Sequence, residues 1–465
     1  MSAAVSQSSK LEELFQRKST LGIIVAMALP TVASQLIGVI YNYADSIYVG
    51  TLNKPEQIAA IALALPTSLI MLGLANFWGV GAGSMLSRAL GKKDFRTAGR
   101  ISAFSTYCAT GSSLILGLAA GLWGDGFIRF LGASETVLPY AREYFLWFFT
   151  LGVVPSVLSM HLSNLLRAEG YARLASRGLI LGGILNVILD PFFIFPFGLG
   201  LGVGGAAFAT FLSNVLSTLF LAGAIYRIRS KSCLSFRPSL VRMNFAEIRE
   251  IISVGLPSAL IMFLSAISNN VLNVLLARHG DHVVAAIGIA KKADFLPSHI
   301  AVGITQGALP LIAYAYASGK HEKMKDILFT TLKMAFYSLT TLVIFLELFA
   351  RPMSLLFIRD EETVRFAATF IQMLCISFPL YAVSTTINAF YQAINRPKTA
   401  LILSVIRKGP LDIPLMILLG RMSHFTNIAW SQFILDLITV IICLIVVKRF
   451  FASNSFIKDV SLNHE

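Results

Sequence analysis

Long apolar stretches alternate with short polar ones along the chain from residue 20 to residue 450. A helix needs about 20 mostly apolar residues to cross the hydrocarbon core of a bilayer. The pattern therefore predicts twelve membrane-spanning helices, at roughly 20–50, 57–88, 97–124, 135–168, 172–196, 203–229, 246–279, 283–318, 322–357, 362–395, 397–420 and 424–450. The sequence lacks the segments of alternating hydrophobicity, each about 10 residues long, that are typical of a membrane β-barrel. We therefore predict an all-α integral membrane protein.

The second half of the chain repeats the first half. The run ALPTVASQLIGVIYNYADSIYVG is matched later by GLPSALIMFLSAISNNVLNVLLA. Matching positions are Pro30 with Pro257, Asn42 with Asn269, Ile61 with Ile287, Gly79 with Gly307 and Gly91 with Gly319. Because six spans return the chain to the same side of the membrane, the two copies have the same orientation. Parallel repeats of this kind form the two lobes of many secondary transporters, and we predict two six-helix lobes.

Polar segments at both ends and in the middle predict the domain organisation. The predicted parts are an N-terminal segment at 1–19, an N-lobe with spans 1–6 at 20–229, a linker at 230–245, a C-lobe with spans 7–12 at 246–450, and a tail at 451–465. The linker is the longest polar stretch of the chain and contains serine, proline and basic residues. No leader with a basic segment followed by an apolar one is visible at the start of the sequence.

Basic residues gather in alternate loops, as in GKKDFRTAGR after the second span. Cytoplasmic loops of membrane proteins carry an excess of lysine and arginine, so both termini and the linker are predicted to be cytoplasmic. The expected location is the cell inner (plasma) membrane. The formal net charge of +14 then reflects topology, and we expect no nucleic-acid partner.

Composition and motifs narrow the function further. Charged residues make up 13% of the chain, against about 25% in a soluble domain. The four cysteines show no CxxC spacing, which predicts neither a disulfide framework nor a metal site. Because GxxxxGK[ST], HExxH and GxSxG are all missing from the sequence, we expect no ATP hydrolysis and predict that the protein is not an enzyme; a membrane-embedded transferase of lipid-linked sugars is the alternative. An ion gradient, a substrate gradient or a partner would supply the energy.

Two acidic residues in the first half lie inside predicted spans. Asp45 lies in the first span and Asp190 in the fifth. An ionisable group at the bilayer centre costs roughly 2.5–3.5 kcal/mol, so the presence of each acid needs a structural or functional explanation. Asn186 precedes Asp190 by four residues and shares its helix face, while Pro191 frees a backbone carbonyl. These oxygens can take a proton or bind Na⁺; a hydrogen bond between helices, or a position near the membrane interface, is the structural alternative.

A proline and a set of charges complete the candidates. Pro30 lies about four turns before Asp45 and permits a kink, either as a hinge or as a static feature. The second half carries a different set of membrane-embedded charges: Lys291, Lys292, Asp294, Arg407, Lys408, Asp412 and Asp436. A salt-bridge network that neutralises them is the leading interpretation, and a second proton relay or an anion-binding patch is the alternative.

Several segments resemble the multidrug and toxic compound extrusion (MATE) family, over nearly the whole chain. They are YADSIYVG followed by AAIALALP, then GVGAGSMLSRALGKKD, and then NLLRAEGYARLASRGLILGGILNVILDPFFIF. The N…ILDP run is the most specific, and it is similar to the branch of DNA-damage-inducible and MepA-like exporters. This resemblance implies a cation-coupling site in the first lobe, made by Asp45, Asn186 and Asp190, with Thr210 and Asn164 as polar partners and Pro30 in a bending helix.

The sequence departs from the sodium-coupled branch of the family at one place. That branch has an acid in the seventh span, whereas no residue between Glu250 and Asp281 is acidic here. This difference favours a first-lobe site over a second-lobe sodium site.

The resemblance implies a secondary active antiporter that exports lipophilic, often cationic compounds in exchange for H⁺ or Na⁺ by rocking of its lobes. The expected protein is a monomer in membrane lipid, needs no cofactor besides the coupling ion, and confers drug resistance. A flippase of lipid-linked precursors or a metabolite exporter of the same superfamily stays open. So does the choice between H⁺ and Na⁺, since both need carboxylates.

Overall fold

The structure is a computed structural model that describes residues 10–17, 19–52, 55–131, 133–277, 279, 281–355, 357, 360–408, 411–421 and 425–452. Throughout these ranges the regular structure is helical, with no strand. Contacts divide the chain into two compact units, residues 1–263 and 264–465. The prediction of an all-α protein is confirmed.

Among its described residues, the first unit contains ten α-helices and the start of an eleventh. They are α1 (Lys10–Arg17), α2 (Thr20–Gly50), α3 (Pro55–Leu63), α4 (Leu65–Gly91), α5 (Phe95–Trp123), α6 (Asp125–Phe130), α7 (Leu138–Phe145), α8 (Val153–Ala168), α9 (Ala172–Ile194), α10 (Gly202–Arg227) and the beginning of α11 (Phe245–Ala277). A π-helical segment, Leu146–Thr150, joins α7 to α8.

In the described part of the second unit are the rest of α11 and seven further α-helices. They are α12 (Asp281–Ala317), α13 (His321–Leu355), α14 (Glu361–Cys375), α15 (Phe378–Ala393), α16 (Pro397–Lys408), α17 (Asp412–Gly420) and α18 (Trp430–Ala452). The division between the units falls inside α11. The predicted lobe limits at 229 and 246 follow the sequence repeat, and they stay a prediction.

The number of spans differs from the predicted twelve at one place. Within the described residues, ten helical segments are long and apolar enough to cross a membrane, and counting α14 with α15, a pair bent by 41°, as one span gives eleven. The predicted span 397–420 is divided between α16, of 12 residues, and α17, of 9 residues. Neither piece alone reaches the length of about 20 residues that a straight crossing needs.

Polar residues fix where the long helices begin. Ser19 precedes α2, and its Oγ accepts the N–H of Gly22 at 3.2 Å. Asp94 precedes α5, and its Oδ1 accepts the N–H of Thr97 at 3.0 Å. Each side chain satisfies one of the N–H groups that a helix start leaves without a partner. The helix starts therefore lie close to where the apolar stretches of the sequence begin.

Small residues on α9 let its neighbours pack closely. A Cβ at Gly183 would overlap the side chain of Ile37 on α2, and one at Gly178 would overlap Leu221 on α10. Gly182 is nearly as tight, because a Cβ there would lie 3.0 Å from Cβ of Ser217. The close approach places the polar residues of α2, α9 and α10 within reach of one another.

Candidate functional site

A polar cluster lies on α9 and α10 inside the first unit. Nδ2 of Asn186 donates to Oδ1 of Asp190 at 3.3 Å and to Oγ1 of Thr210 at 3.2 Å. Asp190 is fully buried, and Asn186 and Thr210 are almost so. The four-residue spacing on α9 places the amide and the carboxyl group on one helix face. These three predicted site residues are therefore in contact.

Asp45 joins this cluster from α2. Its carboxyl group lies within hydrogen-bonding reach of the side chains of Asp190 and Asn186. Two carboxyl groups this close repel when both are ionised, and they can share a hydrogen bond only when one of them carries a proton. The arrangement therefore suits a site where a proton or another cation offsets the charge of a buried acid pair.

Three oxygen atoms of the cluster lack a hydrogen-bond donor. Among the described residues, Oδ1 of Asp45, Oδ1 of Asn186 and Oδ2 of Asp190 are buried and accept no hydrogen bond. A buried polar atom without a partner costs about 1–3 kcal/mol. All three are carboxylate or amide oxygens, the atoms that hard cations such as Na⁺ prefer. The chemistry of the site thus fits Na⁺ as well as H⁺.

Two tyrosines near the acids were missed by the sequence analysis. The buried Tyr144 on α7 interacts electrostatically with Asp45 and Asp190. Tyr41, one turn before Asp45 on α2, interacts with Asp45 in the same way. Tyr144 lies just before the π-helical segment at 146–150, and such segments are frequent at functional sites. Tyrosine is common in membrane spans, so nothing in the sequence distinguishes these two residues as part of a site.

Asn164, the fifth predicted residue, contacts other groups. Its Oδ1 accepts a hydrogen bond from Nη2 of the buried Arg167 at 2.7 Å. Its amide packs against Gly79 of α4, where a Cβ would overlap it. None of the contacts described for Asn164 reaches the acid pair. Its role as a coupling residue stays a prediction, and the structure offers a packing role instead.

Pro30 lies within α2, which stays continuous from Thr20 to Gly50. Proline has no N–H group and so removes one helical hydrogen bond. Neighbouring hydroxyl groups bond to the backbone near it: Oγ1 of Thr31 donates to the carbonyl of Met27 at 2.8 Å, and Oγ of Ser34 to that of Thr31 at 2.7 Å. These hydrogen bonds lie next to Pro30, where a kink of α2 would separate successive helical turns.

The predicted charges of the second unit form several pairs. Nε of Arg407 donates to Oδ1 of Asp436 at 2.6 Å, and the guanidinium lies 4.3 Å from the ring centroid of Tyr381. Oγ of Ser268 donates to Asp412 at 2.5 Å. Both Asp436 and Asp412 are buried. These contacts satisfy the buried acids of α17 and α18, as a structural network requires.

The lysines of this set lie on α12 and α16. Nζ of Lys291 lies 3.4 Å from Oδ2 of Asp294, three residues further along α12. Nζ of Lys292 lies 5.3 Å from the ring centroid of Phe357, within the range of a cation–π contact. The side chain of Lys408 lies outside the described residues.

Comparison with known proteins gives concordant matches. Residues 30–192 and 257–418 each match the model of the MatE family. These two matches begin at Pro30 and Pro257, which are paired positions of the sequence repeat.

Two relatives match nearly the whole chain. The multidrug export protein MepA of Staphylococcus aureus (strain MRSA252) is 29% identical over 433 residues, which are 93% of this chain and 94% of MepA. MepA of Staphylococcus haemolyticus (strain JCSC1435) is 30% identical over 440 residues, with the same coverage of 93% and 94%.

A solved structure has the same fold. A MATE transporter in complex with MaL6 superposes with a TM-score of 0.90 at 24% sequence identity, covering 97% of this chain and 100% of that one. At this identity the likeness shows the fold.

Proposed function

Because this chain belongs to the MatE family, we propose that it is a secondary active antiporter that exports lipophilic, often cationic compounds in exchange for H⁺ or Na⁺. The MepA proteins that match it over 93% of its length are multidrug exporters. The observation that carries the coupling part of the proposal is the contact between Asp45, Asn186 and Asp190.

The acid pair is the proposed binding site of the coupling ion. Without a cation, two carboxylates in a buried site pay both desolvation and mutual repulsion. A proton shared by Asp45 and Asp190, or Na⁺ bound by their oxygens with that of Asn186, removes most of this cost. Thr210 holds the Asn186 amide through the 3.2 Å hydrogen bond and so orients its oxygen.

Ion binding is proposed to act on α2, because this helix brings Asp45 to α9. Cation binding draws α2 towards α9, whereas loss of the cation lets the two acids repel. Pro30 is the proposed bending point, since it lacks one helical hydrogen bond. To drive transport, the ion must favour one conformation by a few kcal/mol over the other. This movement of α2 is coupled to rocking of the two lobes, which exposes the exported compound to the outside.

The proposed setting follows from the sequence. The protein is a multi-pass membrane protein; its place in the cell inner membrane, with both termini in the cytoplasm, rests on the excess of lysine and arginine in alternate loops. We propose a monomer, because the repeat places both lobes in one chain. Its proposed substrates are small lipophilic molecules, and it is proposed to need no cofactor besides the coupling ion.

The test is transport in proteoliposomes that contain the purified protein and a fluorescent lipophilic cation. An imposed pH gradient and an imposed Na⁺ gradient are compared, and the gradient that drives transport identifies the ion. Asp190→Asn should abolish the driven component, because a neutral amide cannot bind the ion in charge-balanced form. Asp125→Asn, which removes an exposed acid paired with Arg142, is the matched control and should transport normally.

Undiminished driven transport by Asp190→Asn would contradict the site. If neither the pH gradient nor the Na⁺ gradient drives transport in the parent protein, that result would contradict the antiporter itself. It would favour the flippase or metabolite-exporter alternative, for which the basic residues Lys291, Lys292, Arg407 and Lys408 are the candidates to examine.

A further inference from the structure

The predicted linker is bonded along its length to helices of the first unit. We name residues 231–244 the strap; it runs without regular structure except for a short turn at Pro238–Leu240. Oγ of Ser102 on α5 accepts the N–H of Ser235 at 2.9 Å, and the hydroxyl of Tyr107 donates to the carbonyl of Phe236 at 3.1 Å. The strap is therefore a packed part of the unit.

Further contacts hold the end of the strap. Two guanidinium nitrogens of Arg100 donate to the carbonyl of Arg242, at 2.7 and 2.9 Å. The same arginine forms an ion pair with Glu247 at 3.0 Å, in the first turn of α11. A firmly bound strap thus also fixes the beginning of α11 beside α5.

The start of the strap is held by one carboxyl group, that of Glu169. This residue follows α8 directly and is 2% exposed. Its Oε2 accepts the hydroxyl of Ser232 at 2.5 Å, and its Oε1 accepts the N–H of Cys233 at 2.5 Å. Next to these, Leu234 is buried. When the strap is bound, Glu169 is hidden from water; when the strap detaches, the carboxyl group becomes hydrated.

The charges around Glu169 do not balance an ionised carboxylate. No ion pair joins Glu169 to a basic side chain within the described residues. The groups that face it are the thiol of Cys233 in the strap and Tyr171 at the start of α9, which itself faces Glu13 of α1. Lys231 contributes its carbonyl to the Tyr171 hydroxyl, and the guanidinium of Arg167 bonds to Asn164.

We propose that Glu169 is a proton-controlled latch, which holds the strap against α5 and α8 when it is protonated and releases it more readily when it is ionised. In the protonated form, one oxygen still accepts the N–H of Cys233 while no charge is buried. In the ionised form, the two hydrogen bonds offset only part of the cost of burying the charge. The latch goes beyond the proposed export function and does not depend on the coupling ion.

The direction of the pH dependence follows from linkage. Burial raises the pKa of Glu169 to about 7, whereas a hydrated glutamate has a pKa of about 4.3. The bound strap therefore retains the proton more strongly than the released one. Strap binding is strongest below about pH 4.3, weakens as the pH rises towards 7, and stays constant above 7. Acidification at this face of the protein tightens the strap.

Hydrogen exchange of the intact protein tests the latch without a label, because the N–H of Cys233 is itself a latch donor. The protection of a peptide covering 231–237 is measured between pH 5 and pH 8.5, with each value corrected for the intrinsic exchange rate at that pH. Protection should fall about tenfold per pH unit between pH 5 and 7 and level off above 7. Glu169→Gln, which cannot ionise, should keep high protection at every pH.

Glu135→Gln is the matched control, since it removes an exposed acid whose partner is Arg129, and it should reproduce the curve of the parent protein. Protection that does not change with pH in the parent protein would overturn the proposal, even if the Glu169→Gln variant fails to fold. A pH dependence that persists unchanged in Glu169→Gln would overturn it as well.

Discussion

Gly183 of α9 and Ile37 of α2 lie so close that a methyl group at residue 183 would overlap the Ile37 side chain. This contact lies on the two helices that bring Asp190 and Asp45 together. The geometry of the acid pair therefore depends on a side chain being absent at residue 183. A larger residue at position 183 should therefore disturb both the packing of α2 on α9 and the proposed ion site.

Gly183→Ala should destabilise the protein by about 1–3 kcal/mol, the usual cost of overpacking a tight contact. It should also weaken ion-driven transport, because α2 is pushed away from α9. Thermal unfolding in detergent and proteoliposome transport measure the two effects.

Gly223→Ala on α10 is the control, because nothing lies within 4 Å of a Cβ there. Adding Ile37→Ala to Gly183→Ala should recover part of both losses; no recovery would mean that the overlap is not the cause.

Thr210→Val and Asn164→Ala should separate the coupling site from its surroundings. Thr210→Val removes the acceptor that holds the Asn186 amide, worth about 1 kcal/mol, so the apparent affinity for the coupling ion should fall roughly fivefold. Asn164→Ala leaves the guanidinium of Arg167 without its side-chain acceptor. It should lower the free energy of unfolding by about 1–3 kcal/mol and leave the ion dependence unchanged.

The measurement for this pair is transport rate against ion concentration, with thermal unfolding alongside. If Asn164→Ala shifts the ion dependence as much as Thr210→Val does, Asn164 belongs to the coupling site after all, as the family resemblance implies.

The ion pair between Arg407 and Asp436 should be structural. Asp436→Ala leaves a buried guanidinium without its partner and should cost about 3–5 kcal/mol. Replacing both residues, as Arg407→Met with Asp436→Leu, should be much closer to neutral, because neither member of the pair is then left buried alone. Thermal unfolding of the two variants gives this comparison. A double variant that is stable but cannot transport would instead assign the pair to the transport cycle.

The spans and the repeat could be predicted from the sequence, because hydropathy and internal similarity can be read directly along the chain. The contact between Asn186 and Asp190 could be predicted as well, since a spacing of four residues fixes it on a helix. The residues alone do not show that Asp45 contacts this pair, or that Tyr144 faces it. Both contacts depend on how α2, α7 and α9 pack. The hydropathy of the sequence does not show that α2 and α9 pack tightly at Gly183.

Two other features lie beyond the hydropathy pattern. The span predicted at 397–420 is divided between α16 and α17; its sequence contains GPLDIP, and proline and glycine interrupt helices. The polar composition of residues 230–245 predicts a linker, but it does not predict which residues the linker contacts. Its hydrogen bonds to Ser102 and Glu169 involve residues more than 60 positions away, which no local pattern reveals.

The division of the chain inside α11 bears on how this gene could have changed. The first part of α11 is second-copy sequence, yet Glu250 on it pairs with Arg88 of α4 at 2.6 Å. A gene cut between the copies, after Arg229, would give a first product without the strap and without this helix start. Both products would expose surfaces that the intact chain buries, and would be open to aggregation and proteolysis. Fission at the point of duplication would therefore not restore two working halves.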